Sequence, residues 1–80
     1  MDTRTAVAKR IEELCEERGI TINGLSYLSG VANSTIKGIS YGRSKNPGIV
    51  TIKKLCDGLG ISLPDFFFSA LFDDLEQEIK

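Results

Sequence analysis

The chain has 80 residues, of which 41% are apolar, with two cysteines, no histidine and a formal charge of −1. This length allows one domain with a modest core, and the lack of histidine excludes a Cys₂His₂ zinc site and catalysis by a histidine base. No apolar run approaches the roughly 20 residues of a membrane helix, and the opening MDTRTAVAKR lacks the apolar stretch of a secretory signal.

The first predicted helix spans about residues 4–18, because apolar residues recur at helical spacing and Gly19 follows as a left-handed cap. A second, shorter helix begins after Thr21, which has N-cap chemistry, and ends near Ser29. The predicted inward faces are Val7, Ile11, Leu14 and Cys15 on the first helix, and Ile22, Leu25, Leu28 and Ser29 on the second. Two cysteines allow at most one disulfide, but both lie among apolar residues, so we expect Cys15 and Cys56 to be reduced core thiols of a cytoplasmic protein.

A third helix is predicted over residues 33–40, with Ile36 and Ile39 inward and Gly42 as its terminator. The segment 41–48, YGRSKNPG, has the composition of an ordered turn, since Pro47 fixes its own φ and disfavours helix at the residue before it. A fourth helix follows over about residues 49–58. Its predicted inward face consists of Ile52, Leu55, Cys56 and Leu59.

The start of a fifth helix near Leu63 has the strongest local signal, because Ser62 and Asp65 form a capping box with proline in the first turn. Helical spacing continues afterwards through Leu71, Phe72, Leu75 and Ile79, so we expect this helix to lengthen or a sixth to follow. Phe66 and Phe67 are predicted to point inward. No run alternates with period two, which predicts an all-α domain over residues 1–68 with a C-terminal helical extension over residues 69–80.

Charge is distributed unevenly along the chain. Residues 1–17 have three bases and five acids, a net −2, and residues 57–80 have one base and six acids, a net −5. The segment between them has a net +6 and no acid; its bases are Arg18, Lys37, Arg43, Lys45, Lys53 and Lys54. This asymmetry favours a surface that meets a polyanion, with an ordinary solvated face as the alternative.

The turn around Gly30 has the features of a tight helix crossing. Gly30 accepts a positive φ, and the small Ser26 lies four residues earlier. The motif runs through Leu25-Ser26, SGVA at 29–32 and STI at 34–36, and continues with NPG at 46–48 and LGISLPDFF at 59–67. In this register the chain resembles the helix-turn-helix domain of the lambda-repressor and Cro family over about residues 4–67. The resemblance implies a compact five-helix fold and binding to double-stranded DNA.

By the same resemblance, the third helix would lie in the major groove. The implied base contacts are Asn33, Ser34, Thr35, Lys37 and Gly38, and the phosphate contacts are Thr21, Arg43, Lys45, Lys53 and Lys54. These polar side chains suit base edges, and the basic ones suit phosphates. The alternatives are that Asn33 and Ser34 only cap the helix, that Thr35 is half-buried, that Gly38 packs against Tyr41, and that the lysines serve solubility.

Four positions depart from the family pattern. Ile22 stands where glutamine often opens the second helix, and Cys15 and Ser40 replace a frequent arginine–glutamate pair. Losing both charges together is coherent, because removing one would leave a buried charge unpaired. Ala32 replaces the usual serine cap, and we expect Asn33 or Ser34 to take over as the cap.

The sequence therefore predicts a sequence-specific regulator, most simply a repressor that binds a palindromic operator as a homodimer. The predicted dimerisation stripe is Phe68, Phe72, Leu75 and Ile79, with a monomer whose tail folds over its own core as the alternative. The rival functions are an antitoxin-like autoregulator whose apolar tail binds a partner protein, and an interaction module that has lost DNA binding. An enzyme, a metal and a cofactor are not expected.

Overall fold

The structure, a computed structural model, describes residues 1–79, and within that range it contains five α-helices and no strand. The helices are α1 (Thr3–Arg18), α2 (Ile22–Ser29), α3 (Asn33–Ser40), α4 (Ile49–Leu59) and α5 (Leu63–Phe67), and one 3₁₀ turn follows at Ala70–Phe72. The predicted all-α fold is confirmed. None of the helices in the described part of the chain is long and apolar enough to cross a membrane.

Side-chain caps set the starts of most helices. The Asp2 carboxylate accepts from the Thr5 amide at 2.9 Å at the start of α1. Hydrogen bonds from the Thr5 side chain and backbone lower the pKa of Asp2. The Thr21 hydroxyl accepts from the Gly24 amide at 3.1 Å to open α2. At α5, Ser62 and Asp65 form both bonds of the predicted capping box.

Helices α3 and α4 have no side-chain cap, since their N-caps are Ala32 and Gly48. The expectation that Asn33 or Ser34 takes over as the cap is wrong. Asn33 is already the first helical residue, and its amide group is engaged with Asn23 of α2 instead. The start of α3 is therefore held by tertiary contacts and not by a local cap.

One apolar core joins the five helices. It consists of Val7, Ile11, Leu14, Cys15, Leu25, Val31, Ile36, Ile39, Ile52, Leu55, Cys56, Leu59 and Phe66. Both cysteines are free and buried, as predicted, and burial raises the pKa of each thiol. Apolar burial at helical spacing thus accounts for how α1 to α5 assemble.

The inward prediction for Leu28 is wrong, since its side chain is 52% exposed. The reason lies in α4. A Cβ at Gly58 would stand 2.8 Å from the Ser29 nitrogen and 2.9 Å from the Leu28 carbonyl carbon. The end of α2 therefore meets α4 through its backbone, and the Leu28 side chain is left outside.

The predicted lengthening of α5 beyond Phe68 is wrong, and the predicted sixth helical segment is present only as the 3₁₀ turn. Helix α5 ends at Phe67, Ser69 takes an extended conformation with φ −159°, and only a 3₁₀ turn follows. Phe67, predicted to point inward, is 37% exposed; its ring meets those of Phe66 and Phe72 at centroid distances of 5.0 and 5.1 Å. Phe72 packs against the core instead and takes the place that was expected for Phe67.

After the 3₁₀ turn the chain runs back along the start of α1. The Glu76 amide donates to the Met1 carbonyl at 3.1 Å, and the Thr3 hydroxyl donates to the Glu78 carboxylate at 2.8 Å. These bonds place the acidic C-terminal residues beside the N-terminus of α1. Lys80, the last residue of the predicted extension, lies outside the described residues.

Candidate nucleic-acid interface

The turn between α2 and α3 is closed by a small set of hydrogen bonds. Gly30 has φ +73°, the left-handed conformation that the tight turn requires, and its amide donates to the Ser26 carbonyl at 2.9 Å. The Ser26 hydroxyl donates to the Val31 carbonyl at 2.6 Å, while the Val31 amide donates to the Ser29 hydroxyl at 3.2 Å. Ser26 is therefore a bonding partner of the turn as well as a small residue.

The two faces of α3 differ in burial as predicted. Ile36 and Ile39 are buried, whereas the opposite side presents Ser34, Thr35 and Lys37 to solvent. The alternative that Thr35 is half-buried does not hold. Four polar groups, counting the partly exposed Asn33, thus lie along the start and outer side of this helix.

Gly38 has no packing reason to lack a side chain. A Cβ added there would meet nothing within 4 Å, so the alternative of packing against Tyr41 does not hold. Its carbonyl accepts from the amides of Arg43 and Ser44 at 2.8 and 2.9 Å. The backbone of Gly38 therefore anchors the next loop, and its missing side chain leaves the outer face of α3 thin.

Asn33 occupies a different position from its neighbours. Its amide nitrogen donates to the Asn23 side-chain oxygen, which links the first turns of α2 and α3. Its own side-chain oxygen is buried without a hydrogen-bond partner in the described chain. The carboxamide must therefore rotate away from α2 before it can pair with a base.

The loop after α3 is held beside that helix. Gly42 adopts φ +75°, and the two amide bonds to Gly38 fold the following residues against α3. The Arg43 guanidinium lies 5.4 Å from the centre of the Tyr41 ring, within range of a cation–π contact. Arg43 and Lys45 are both exposed, so this loop presents two cations next to the outer face of α3.

An open cleft separates α3 from the start of α4. Ser34, Thr35 and Gly38 line one wall, and Pro47, Gly48 and Thr51 line the other. The Gly48 cap offers no side chain to the first amides of α4, so these amides have no side-chain cap. Sequence reasoning missed Thr51 in this cleft. The signal for it was the NPG turn, which places Thr51 in the first turn of the next helix.

The lysines of α4 lie on different sides of that helix. With 100° per residue, Lys54 lies on the side of Thr51, whereas Lys53 is turned about 200° away from it. Lys53 forms an ion pair with Asp57, one turn further along the helix. Of the two predicted phosphate contacts on α4, the geometry favours Lys54.

The charge around α3 is positive. Lys37, Arg43, Lys45 and Lys54 are exposed, and no acid occurs in the sequence between residues 18 and 56. Arg18 does not belong to this surface, because its guanidinium donates to the Leu59 carbonyl at the end of α4. The C-terminal acids are held at the start of α1, so the outer side of α3 combines hydrogen-bonding groups with cations, as a nucleic-acid surface requires.

Comparisons with known proteins agree with this geometry. A model of the Cro/C1-type HTH DNA-binding domain matches residues 10–67. The chain is similar to the crystal structure of the prophage Lp1 protein 11, with 38% identity and a TM-score of 0.79 over 94% of this chain and 100% of that one. It is also similar to a mutant of the restriction-modification controller protein C.Esp1396I, with 29% identity and a TM-score of 0.73 over 84% of this chain and 86% of that one. No curated protein sequence matches.

Proposed function

The chain belongs to the Cro/C1-type helix-turn-helix family of DNA-binding transcription regulators, and we propose that it is a repressor that binds a palindromic operator as a homodimer. The observation that supports this most directly is the outer side of α3. It is exposed, offers hydrogen-bonding groups, has no side chain at Gly38 and is flanked by cations, while its other side is buried in the core. Such a helix fits the major groove of B-DNA.

Base recognition in this proposal rests on Ser34, Thr35 and Lys37. Hydroxyl groups serve as donor or acceptor to base edges, a threonine methyl can contact thymine, and lysine can reach the guanine acceptors. Gly38 lets the helix approach the groove closely, since a side chain there would stand on the open face. Asn33 joins as an adenine contact once its amide has left Asn23.

Phosphate binding in this proposal comes from the groups around α3. Arg43, Lys45 and Lys54 supply charge, and the Thr21 hydroxyl, whose oxygen caps α2, keeps its proton free for a phosphate oxygen. Lys53 can contribute only by giving up its ion pair with Asp57. If about four to six phosphates are neutralised, log affinity falls with log salt at a slope near −0.9 per contact.

The dimeric and repressive parts of the proposal follow from geometry on the DNA. A single α3 reads only a few base pairs, whereas two copies related by a two-fold axis read two half-sites about one helical turn apart. A protein seated there excludes other proteins from the same stretch of duplex. Where the operator overlaps a promoter, we therefore expect transcription to fall.

The test is selection from random-sequence DNA with the purified protein, followed by salt titration on the winning site and a reporter with that site across its promoter. We expect an inverted repeat, and lower reporter output when the protein is present. Lys54→Ala should weaken binding to every sequence and reduce the salt slope by about one, while the matched control Lys53→Ala should leave the slope unchanged.

Each other outcome removes a defined part of the proposal. An enriched site without two-fold symmetry contradicts the dimer, and higher reporter output contradicts repression. Failure to enrich any site overturns the DNA-binding proposal and favours an interaction module. A second protein that purifies with the chain and is needed for binding favours the antitoxin-like alternative.

A further inference from the structure

The side of the domain beside the α3–α4 loop has an apolar cleft. Val7 of α1, Ile49 and Ile52 of α4 and Phe67 of α5 line it, and Ile49 is 56% exposed there. Two basic residues also line it, the exposed Lys45 and Arg4, and Arg4 forms an ion pair with Asp2. An apolar hollow with a charged rim, left open in a single chain, is the form of a protein-binding surface.

Phe68 stands next to this cleft and has no partner of its own in the described chain. It directly follows Phe67, which lines the cleft, and its side chain is 87% exposed. The three other phenylalanines contact one another, at ring-centroid distances of 5.0 to 6.4 Å, and Phe68 does not join them. A large exposed ring therefore directly follows, in the chain, a residue that lines an apolar hollow.

We propose that this face joins two copies of the chain, with Phe68 of each copy inserted into the Ile49–Phe67 cleft of the other. The proposal rests on the dimer proposed above and assigns its interface. A two-fold interface uses the same patch on both partners, so it requires a projection and a hollow on one surface, and Phe68 and the cleft meet that condition. A partner of different sequence would have to supply both features by itself.

Charge also favours a second copy as the occupant. Asp65 lies three residues before the projecting ring, and Asp73 and Asp74 follow the 3₁₀ turn, whereas the exposed Lys45 lines the cleft. The other base of the cleft, Arg4, is paired with Asp2 of its own chain. When Phe68 of one copy enters the cleft of the other, acids of the first copy approach Lys45 of the second, twice by symmetry.

The position of the cleft agrees with DNA binding by both copies. Lys45, Asn46 and Pro47 of the α3–α4 loop line part of it, and the same loop is bonded to Gly38 of α3. The proposed interface therefore lies beside the loop that is bonded to the recognition surface of α3. The stripe predicted from sequence has no such relation to α3, because Ile79 lies beyond the segment that runs along α1.

The experiment is sedimentation equilibrium of the full chain over a range of concentrations. The wild type should reach twice its monomer mass of 8.8 kDa. Phe68→Asp should raise the dimer dissociation constant about 30-fold or more, as loss of a central aromatic anchor does. Ile79→Asp is the matched control, since Ile79 is also 87% exposed, and it should change the constant by less than about twofold.

A mixing experiment tests the specific contact between position 68 and position 49. Ile49→Lys alone should also weaken the dimer. A mixture of Phe68→Asp with Ile49→Lys should dimerise more tightly than either variant alone, because the mixed pair keeps one native contact and gains one aspartate–lysine pair. Circular dichroism checks that each variant is folded.

A wild type that stays monomeric at every concentration overturns this interface, and DNA selection decides independently whether α3 binds DNA. Equal losses for Phe68→Asp and Ile79→Asp overturn it in favour of the stripe predicted from sequence. A mixture no tighter than its components overturns the Phe68–Ile49 contact.

Discussion

The α2–α3 unit and the C-terminal segment 68–79 both have apolar residues three and four positions apart, yet only the first is helical throughout its pattern. Helix α2 begins at a Thr21 cap and ends at a left-handed Gly30. The C-terminal segment has no such start, and Ser69 lies in extended backbone where the pattern should continue. Apolar spacing states which face could be buried, whereas capping residues decide whether a helix forms there.

The two regions also differ in how they are held. The α2–α3 unit shares the core through Leu25, Ile36 and Ile39 and closes its turn with partly buried hydrogen bonds. In the C-terminal segment Phe72 packs against the core, and the residues after it are joined to α1 by exposed polar contacts such as that between Thr3 and Glu78. We therefore expect changes around α2 and α3 to alter the free energy of unfolding far more than changes in the C-terminal segment.

The largest expected effect is at Gly58, where α4 meets the backbone of α2. Gly58→Ala would put a methyl group 2.8 Å from the Ser29 nitrogen. The contact joins the backbones of α4 and α2, so it can be relieved only if one helix moves. We expect the free energy of unfolding to fall by about 2–3 kcal/mol in urea denaturation, despite the better helix propensity of alanine.

The matched control for this change is Gly38→Ala on α3. A side chain there meets nothing within 4 Å, so the domain should gain about 0.5–1 kcal/mol while DNA affinity falls. If Gly58→Ala is as stable as wild type, α2 and α4 do not approach as closely as described, and the contrast between the two regions loses its main support.

A smaller effect is expected at the turn itself. Ser26→Ala removes the hydroxyl that donates to the Val31 carbonyl at 2.6 Å, which leaves that acceptor without its partner. Thermal and urea unfolding should show a loss of about 1 kcal/mol. The control is Ser34→Ala on the exposed side of α3, where the serine hydroxyl forms no hydrogen bond within the described residues, and stability should stay within about 0.5 kcal/mol of wild type. Equal effects of the two changes would show that the Ser26 bond is not a stabilising part of the turn.

Much of the fold was predictable because its signals are local. Thr21, Gly30 and the Ser62–Asp65 capping box mark helix ends within one turn of sequence, and the structure confirms each of them. The start of α3 was not predictable in this way. Ala32 gives no cap, and the contact that replaces it joins Asn33 to Asn23, ten residues away.

The candidate site was predictable in position and less so in detail. Helical periodicity placed Ser34, Thr35 and Lys37 on the outer face, where the structure has them. It missed the Lys53–Asp57 pair and the cleft that Thr51 of the next helix shares with α3. The i,i+4 spacing of Lys53 and Asp57 was a local signal for their pairing. The position of Thr51 instead depends on how the helix after the NPG turn is rotated, and an apolar pattern fixes that rotation only to within a residue or two.

The smallest expected effect is in the C-terminal segment and is best measured as a coupling. Thr3→Val and Glu78→Gln each remove or weaken the hydrogen bond of 2.8 Å between these exposed side chains. In a double-mutant cycle on the free energy of unfolding we expect a coupling of about 0.5 kcal/mol or less, because water replaces either partner at little cost. A coupling above about 1.5 kcal/mol would mean that the segment is bound to α1 as firmly as α2 is bound to α3. Low coupling would instead mean that the segment is only weakly attached to α1. Its sequence could then vary without displacing α3, which the rest of the domain holds in place.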